Sequence, residues 1–123
     1  MKLTNNINLS LAVDIMSVIP LKKQINWNLV DFFSLEGLED YTPEEIQLCV
    51  AQLCYYKYLE SNFDVSLDND SLLIKNIGYA GIDLASTLQD GFKKLQLQAF
   101  ITRNPRSTIV EFSDYVRSIS PLR

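Results

Sequence analysis

The feature that most constrains the fold of this chain is the tetrapeptide Thr42-Pro43-Glu44-Glu45. The Thr42 hydroxyl can accept a hydrogen bond from the Glu45 amide, while the Glu45 carboxylate can reach back to the Thr42 amide. Proline is also favoured at the first position of a helix, where its missing amide proton costs nothing. We therefore predict a helix over residues 42–60 whose start is fixed by its own side chains.

A β-ribbon is predicted after this helix, over residues 63–77. Apolar and polar residues alternate from Phe63 to Leu67, and a turn rich in Asp and Asn covers residues 68–71. An apolar run over residues 72–77 then supplies the second strand. The local order is thus a capped helix followed by a hairpin.

Further helices are predicted on both sides of this unit. Residues 9–19 are apolar on nearly all helical faces, which is typical of a buried helix. Three helical segments follow the ribbon: residues 79–88, opened by Gly78 and Gly81; a segment with Phe92, Leu95 and Ala99 on one stripe; and residues 109–119, begun by a second capping box at Thr108 and Glu111.

Residues 25–35 fit two local structures. Apolar residues alternate from Ile25 to Leu29 as in a strand, whereas the apolar residues after Asn28 fit a short helix capped by that residue. We favour the helix. At 123 residues the chain suits one hydrophobic core. We predict one mainly α domain with a β-hairpin over residues 1–123, with its core at 41–90 and C-terminal helices at 91–120.

Charge is distributed unevenly along the chain. The net charge is −4, but residues 31–70 hold ten acids and one base, a local balance of −9. Binding of nucleic acid depends largely on Lys and Arg side chains that neutralise phosphates, so this region is unsuited to it. It suits a basic protein surface instead. The predicted protein-binding residues are Glu36, Glu39, Asp40, Glu44, Glu45, Glu60, Asp64, Asp68 and Asp70.

Contact with nucleic acid remains an alternative because the flanking segments are mildly basic. The helix that begins at Thr42 would meet phosphate with Glu44 and Glu45, so the contacts would have to come mainly from other elements. The alternative nucleic-acid-binding residues are Lys57, Lys75, Lys93, Lys94, Arg103 and Arg106.

Catalytic and metal-binding motifs are missing from the sequence. The chain has no histidine, the commonest general base and metal ligand, and no glycine-rich phosphate loop. The acids at positions 64–70 lack the glycine and closing glutamate of a calcium loop. Cys49 and Cys54 lie on one predicted helix at a spacing that prevents an unstrained disulfide bridge. We therefore expect both cysteines to be buried and to pack like small hydrophobic residues. We expect no enzyme, no metal and no cofactor.

Residues 41–90 carry three runs that occur together in other proteins: Tyr41-Thr42-Pro43-Glu44-Glu45-Ile46; Cys49-Val50 with Leu53 and Tyr58-Leu59; and Ile74 to Ile77 with Tyr79-Ala80-Gly81-Ile82-Asp83-Leu84-Ala85. In these runs the chain resembles a family of small phage- and prophage-borne winged-helix proteins of unknown function. The likeness is weaker at the first and last helices. The resemblance implies a winged-helix architecture and a phage setting, and it assigns no activity.

Three functional hypotheses follow. The first is a phage or prophage protein whose acidic surface mimics DNA and modulates a host or phage nucleic-acid-handling protein, with an anti-CRISPR-type inhibitor as one version. The second is a winged-helix transcription regulator, such as a homodimer joined through residues 109–119. The third is a subunit of a larger assembly. Residues 9–19 lack a signal-peptide pattern and are too short to span a bilayer, so we expect no membrane contact and a location in the bacterial cytoplasm.

Overall fold

The structure, a computed structural model, describes residues 7–20, 24–61 and 73–120. This part of the chain is mainly helical and contains a small antiparallel sheet, as predicted. A helix, a strand and two helices precede two paired antiparallel strands, and further helices follow them. The helices are α1 (Leu9–Val18), α2 (Leu29–Phe33), α3 (Pro43–Tyr55), α4 (Ile82–Thr87), α5 (Gly91–Arg103) and α6 (Ile109–Ile119); the strands are β1 (Trp27–Asn28), β2 (Leu59–Ser61) and β3 (Leu73–Ile77), and a 3₁₀ turn covers Tyr79–Gly81.

Helix α1 forms the buried centre of the domain. The Leu11 amide donates to the Asn8 side chain at 3.1 Å, which caps the helix start. Six of its ten residues are buried, and it packs against α3, α4 and α5. The prediction of a buried helix in this segment is confirmed. Because α1 carries apolar residues on several sides, it can contact several neighbouring helices at once.

Helix α3 ends at Tyr55, so the prediction that it continues through residue 60 is wrong. Lys57 has a left-handed φ of 67°. The Lys57 amide donates to the Cys54 carbonyl at 3.1 Å, and the Tyr58 amide donates to the Leu53 carbonyl at 2.8 Å. These two bonds form a Schellman motif, which satisfies the last carbonyls of the helix and reverses the chain. The residues that follow are thereby free to enter the sheet as β2.

The sheet has the order β1-β3-β2, with both pairings antiparallel. Trp27 lies opposite Ile74 in β3. Both interpretations of residues 25–35 are correct in part, because β1 is followed directly by α2. Asn28 caps α2, and its side chain accepts from the Asp31 amide at 2.9 Å. The sequence could not separate the two structures because each occupies only a few residues.

The predicted ribbon is confirmed at β3, but its first strand begins earlier than expected. Strand β2 lies at Leu59–Ser61, before the predicted start at residue 63. The early end of α3 explains this shift, since the chain leaves the helix several residues sooner. The predicted turn at residues 68–71 lies outside the described residues.

Two glycines let the exit of the hairpin lie directly against the end of α3. A Cβ on Gly78 would lie 2.3 Å from the Lys57 carbonyl oxygen, and a Cβ on Gly81 would lie 2.2 Å from the Tyr58 carbonyl oxygen. Those carbonyls also accept hydrogen bonds, from the Ala80 amide to Lys57 at 3.0 Å and from the Gly78 amide to Tyr58 at 2.9 Å. The glycine pair therefore shapes the junction between hairpin and helix, as the sequence predicts.

The last two helices differ in how they use their apolar residues. In α6 the side chains of Ile109, Phe112 and Val116 are buried, so they belong to the core and are not free for a dimer contact. In α5 the predicted stripe points outward, because Phe92 and Leu95 are exposed. The core face of α5 lies on the other side and is supplied by residues near its middle and end.

Replacing Lys57 with glycine is expected to stabilise the protein by about 0.5–1 kcal/mol, because glycine adopts a left-handed φ without the steric cost of a Cβ. Urea denaturation followed by circular dichroism measures this change. Lys57→Ala is the matched control, since it removes the same side chain but keeps the Cβ. Equal unfolding free energies for the two variants would contradict strain at this position.

Replacing Gly81 with alanine is expected to destabilise the protein by about 2–3 kcal/mol, because the new Cβ would overlap a backbone carbonyl that cannot rotate away. Gly91→Ala is the control, since a Cβ there meets no atom within 4 Å. Thermal unfolding of both variants measures the difference. A Gly81→Ala protein as stable as Gly91→Ala would show that the junction relaxes without cost.

Candidate protein-binding surface

The connector between α2 and α3 is folded by local bonds that involve its acids. Leu38 is buried and anchors the connector to the core, while Gly37 turns the chain with a φ of 100°. The Gly37 amide donates to both oxygens of the Glu39 carboxylate, at 2.9 and 3.0 Å. This bond holds the pKa of the Glu39 carboxyl below its usual value. Glu39 therefore remains charged while its side chain stays at the surface.

A side-chain bond ties the same connector to α1. The Tyr41 hydroxyl donates to the Asp14 carboxylate at 3.0 Å. Burial, followed by the bond to Asp14, raises the pKa of Tyr41 to about 12. The sequence contains one signal for this bond between Tyr41 and Asp14. Asp14 is an isolated acid in an otherwise apolar helix, and it therefore needs a polar partner.

The start of α3 carries two more acids of the predicted surface. The Glu45 amide donates to the Thr42 hydroxyl at 3.1 Å, and the Thr42 amide donates to the Glu45 carboxylate at 2.9 Å. The predicted capping box is confirmed. Glu44 lies beside it in the first turn, where the positive end of the helix dipole favours a carboxylate.

Five predicted acids thus lie close together along residues 36–45, all of them exposed. Two of them bond to the backbone as described above. The other three, Glu36, Asp40 and Glu44, make no hydrogen bond or ion pair with the described residues. An ion pair does join Arg117 to Asp114, but these two residues lie far from the acids in the sequence. These five residues are termed the acidic face: Glu36, Glu39, Asp40, Glu44 and Glu45.

The remaining predicted acids lie outside residues 36–45. Glu60 is exposed on β2, the strand that follows the C-terminal end of α3. Asp64, Asp68 and Asp70 lie outside the described residues.

Helix α3 is largely buried. The sequence predicts one buried face, but the structure buries the side that holds Ala51 and Gln52 as well. Elements α1, α2 and β2 all pack against α3 and cover these sides. The exposed residues of α3 are Pro43, Glu44, Glu45 and Tyr55, so its outer surface is small and carries acids at its start. The buried residues are Ile46, Cys49, Val50, Ala51, Gln52, Leu53 and Cys54.

The six basic residues of the alternative site are spread over several elements. Lys57 follows α3 and Lys75 lies on β3, while Lys93 and Lys94 begin α5. Arg103 ends α5 and Arg106 follows it, so Lys94 and Arg103 lie about 14 Å apart along the axis and on opposite sides of the helix. Lys94 and Arg103 therefore lie on different faces of α5, and the six bases are distributed over β3, α5 and the segments after α3 and α5.

The two cysteines are buried and free, as predicted. Burial raises the pKa of the Cys54 thiol to about 12 and also raises the pKa of the Cys49 thiol. A protonated thiol is a poor nucleophile and a poor metal ligand. These side chains therefore contribute to the core and not to a reactive site.

In the described residues, no group of three or more Cys, Asp or Glu side chains has the arrangement of a metal site. No helix in residues 7–20, 24–61 or 73–120 has the length and apolar character needed to cross a bilayer. Comparison of the chain with protein-family models, curated proteins and solved structures finds no match.

Both native thiols are expected to resist modification at pH 8, because the raised thiol pKa values leave almost no thiolate in the folded protein. Labelling with a chromogenic disulfide should reach two thiols per chain in guanidinium and proceed at least about 100-fold more slowly without it. A Ser118→Cys variant, exposed on α6, is the positive control. Rapid labelling of the native protein would contradict this account.

Because the folded pKa of Cys54 lies above the unfolded value, the free energy of unfolding should also fall as the pH rises from about 9 to about 12.

Proposed function

We propose that this protein is a non-enzymatic binding module whose acidic face engages a basic surface on a nucleic-acid-handling protein of a phage or its bacterial host. The single observation that carries the proposal is the concentration of five exposed acids around the start of a helix that is itself buried. Charge on a surface that is not needed for folding is available to a partner.

Three members of the acidic face support this use most directly. Glu36, Asp40 and Glu44 have no bond to the described residues that would explain their presence. Residues 36–56 contain no base, so their charge is not balanced nearby in the sequence. Like charges held close together repel one another, and a basic partner would relieve that repulsion.

A nucleic-acid-handling protein is the partner class that best fits this chemistry. Such proteins carry clefts lined with Lys and Arg side chains that neutralise phosphates. A rigid array of carboxylates can occupy such a cleft by electrostatic complementarity and so act as a mimic of DNA. An inhibitor of a host nucleic-acid enzyme, including one of the anti-CRISPR type, is the specific form of this proposal.

A DNA-binding regulator is the second candidate, and the winged-helix-like order of elements favours it. Its difficulty is the burial of α3, whose first turn also presents Glu44 and Glu45 to phosphate. Duplex contacts would then depend on Arg103, Arg106 and the scattered lysines. We place this candidate below the first for that reason.

Neutralising the three unbonded acids in the variant Glu36→Gln/Asp40→Asn/Glu44→Gln is expected to weaken partner binding by about 10- to 100-fold, or about 1.4 to 2.8 kcal/mol. The wild-type protein is used to capture partners from nuclease-treated bacterial lysate, and mass spectrometry identifies them. The affinity of the purified partner is then measured for both proteins at low and moderate salt. Glu39 and Glu45 are left intact because they hold the local fold.

Asp114→Asn provides a control for charge loss outside the acidic face, and it should be compared with the single variant Glu44→Gln. A captured nucleic-acid-handling protein that binds the triple variant as tightly as wild type would overturn the proposal. A polarisation titration with random duplex DNA tests the second candidate. Salt-sensitive DNA binding that disappears on neutralising Lys93, Lys94, Arg103 and Arg106 would establish that candidate instead.

A further inference from the structure

A cavity of about 340 Å³ lies where the end of α3 meets the exit of the hairpin. Its inner part is apolar, since Cys54 and Leu59 line it and are 5% and 1% exposed. Lys57, Glu60 and Tyr79 line the same cavity and are exposed. An apolar interior with a few polar groups at its mouth is the usual form of a small-molecule site.

Lys57 stands in this cavity with a backbone conformation that few side chains tolerate. Among the described residues, the non-glycine residues with a left-handed φ are Asn26, at 56°, and Lys57, at 67°. Asparagine tolerates this region, whereas a longer side chain carries a steric cost there. Strained residues of this kind cluster at functional sites. The strain therefore singles out the Lys57 side chain as a binding group.

Tyr79 supplies an aromatic ring that its own fold does not use. It is 78% exposed, more than any other large hydrophobic residue in the described part of the chain. The turn that carries it is held by its backbone, through the bond from the Ala80 amide to the Lys57 carbonyl. The ring stacks on none of the other described rings. Its face is therefore open to a ligand ring.

The two charged residues of the cavity have opposite signs. Within residues 7–20, 24–61 and 73–120, neither the Lys57 ammonium nor the Glu60 carboxylate has an ion-pair partner, so the two do not pair with each other. A ligand of one sign would be attracted by one group and repelled by the other. A ligand that carries both charges satisfies both groups with charge-assisted hydrogen bonds.

We propose that this cavity binds a free aromatic amino acid. The Lys57 ammonium donates to the ligand carboxylate, the Glu60 carboxylate accepts from the ligand ammonium, and the ligand ring packs on Tyr79. The volume of about 340 Å³ is at the small end of the range of ~300–1,000 Å³ for ligand sites. It therefore suits one amino acid better than a nucleotide, whose phosphate Glu60 would also repel.

Isothermal titration calorimetry with L-phenylalanine tests the site. We expect a dissociation constant on the order of 100 μM, because so small a ligand has few atoms with which to bind. Three analogues each lack one feature: 3-phenylpropionate lacks the ammonium, L-phenylalaninamide lacks the carboxylate and L-alanine lacks the ring. Each should bind at least about tenfold more weakly than L-phenylalanine.

Lys57→Gly removes the ammonium and relieves the backbone strain together. This variant should bind L-phenylalanine at least about tenfold more weakly and yet be more stable than wild type. Loss of binding in a stabilised protein is not a consequence of unfolding. Glu60→Gln should also weaken L-phenylalanine at least about tenfold, but it should not weaken 3-phenylpropionate, which has no ammonium for the carboxylate to accept from.

Tyr79→Ala tests the ring and should weaken binding at least about fivefold. Tyr55→Ala is the matched control, because Tyr55 is also exposed, at 58%, but lies outside the lining of the cavity. It should bind L-phenylalanine like wild type. Circular dichroism confirms that both variants fold.

The absence of a binding heat with about 10 mM L-phenylalanine would overturn the proposal. Wild-type affinity in Lys57→Gly would also overturn it. Equal affinity for 3-phenylpropionate would remove the role of Glu60, and equal affinity for L-phenylalaninamide would assign the cavity to the first residue of a peptide instead. The site is independent of the acidic face, so the triple variant Glu36→Gln/Asp40→Asn/Glu44→Gln should bind L-phenylalanine like wild type.

Discussion

The close contact between the end of α3 and the turn that leaves the hairpin is the constraint on which the rest of the structure depends. Two backbone segments meet there, with the carbonyls of Lys57 and Tyr58 accepting bonds from the turn at 3.0 and 2.9 Å. The contact is possible because Gly78 and Gly81 have no side chain at the point of approach. It fixes where α3 stops, where β2 starts and in which direction α4 leaves the sheet.

The burial of α3 decides which surfaces are free for other molecules. Neighbouring elements cover most of this helix, so it acts as part of the core. Its start remains at the surface because the capping box of Thr42 and Glu45 satisfies the first amides without further cover. Acids can therefore gather around that start, where the helix dipole favours them.

The sequence predicts much of the fold because many of its signals are local. The capping boxes at Thr42 and Thr108 require only residues three apart, and both occur as expected. The end of α3 was missed because Lys57 adopts a conformation for which glycine is the usual signal. The sequence predicts α5 as a helix but does not say which of its sides meets the core, because it has apolar residues on two sides and periodicity does not distinguish them.

By itself, the sequence determined the helix starts, the hairpin with its glycine exit, the buried thiols and the concentration of acids in residues 36–45. These follow from hydrogen bonds and periodicities that act within a few residues. Only the tertiary structure decided that α3 is covered by its neighbours, that it ends before Lys57, and that the Phe92 side of α5 points outward. Those outcomes depend on how distant elements pack, since burial of one helix is set by its neighbours in space and not by its own pattern.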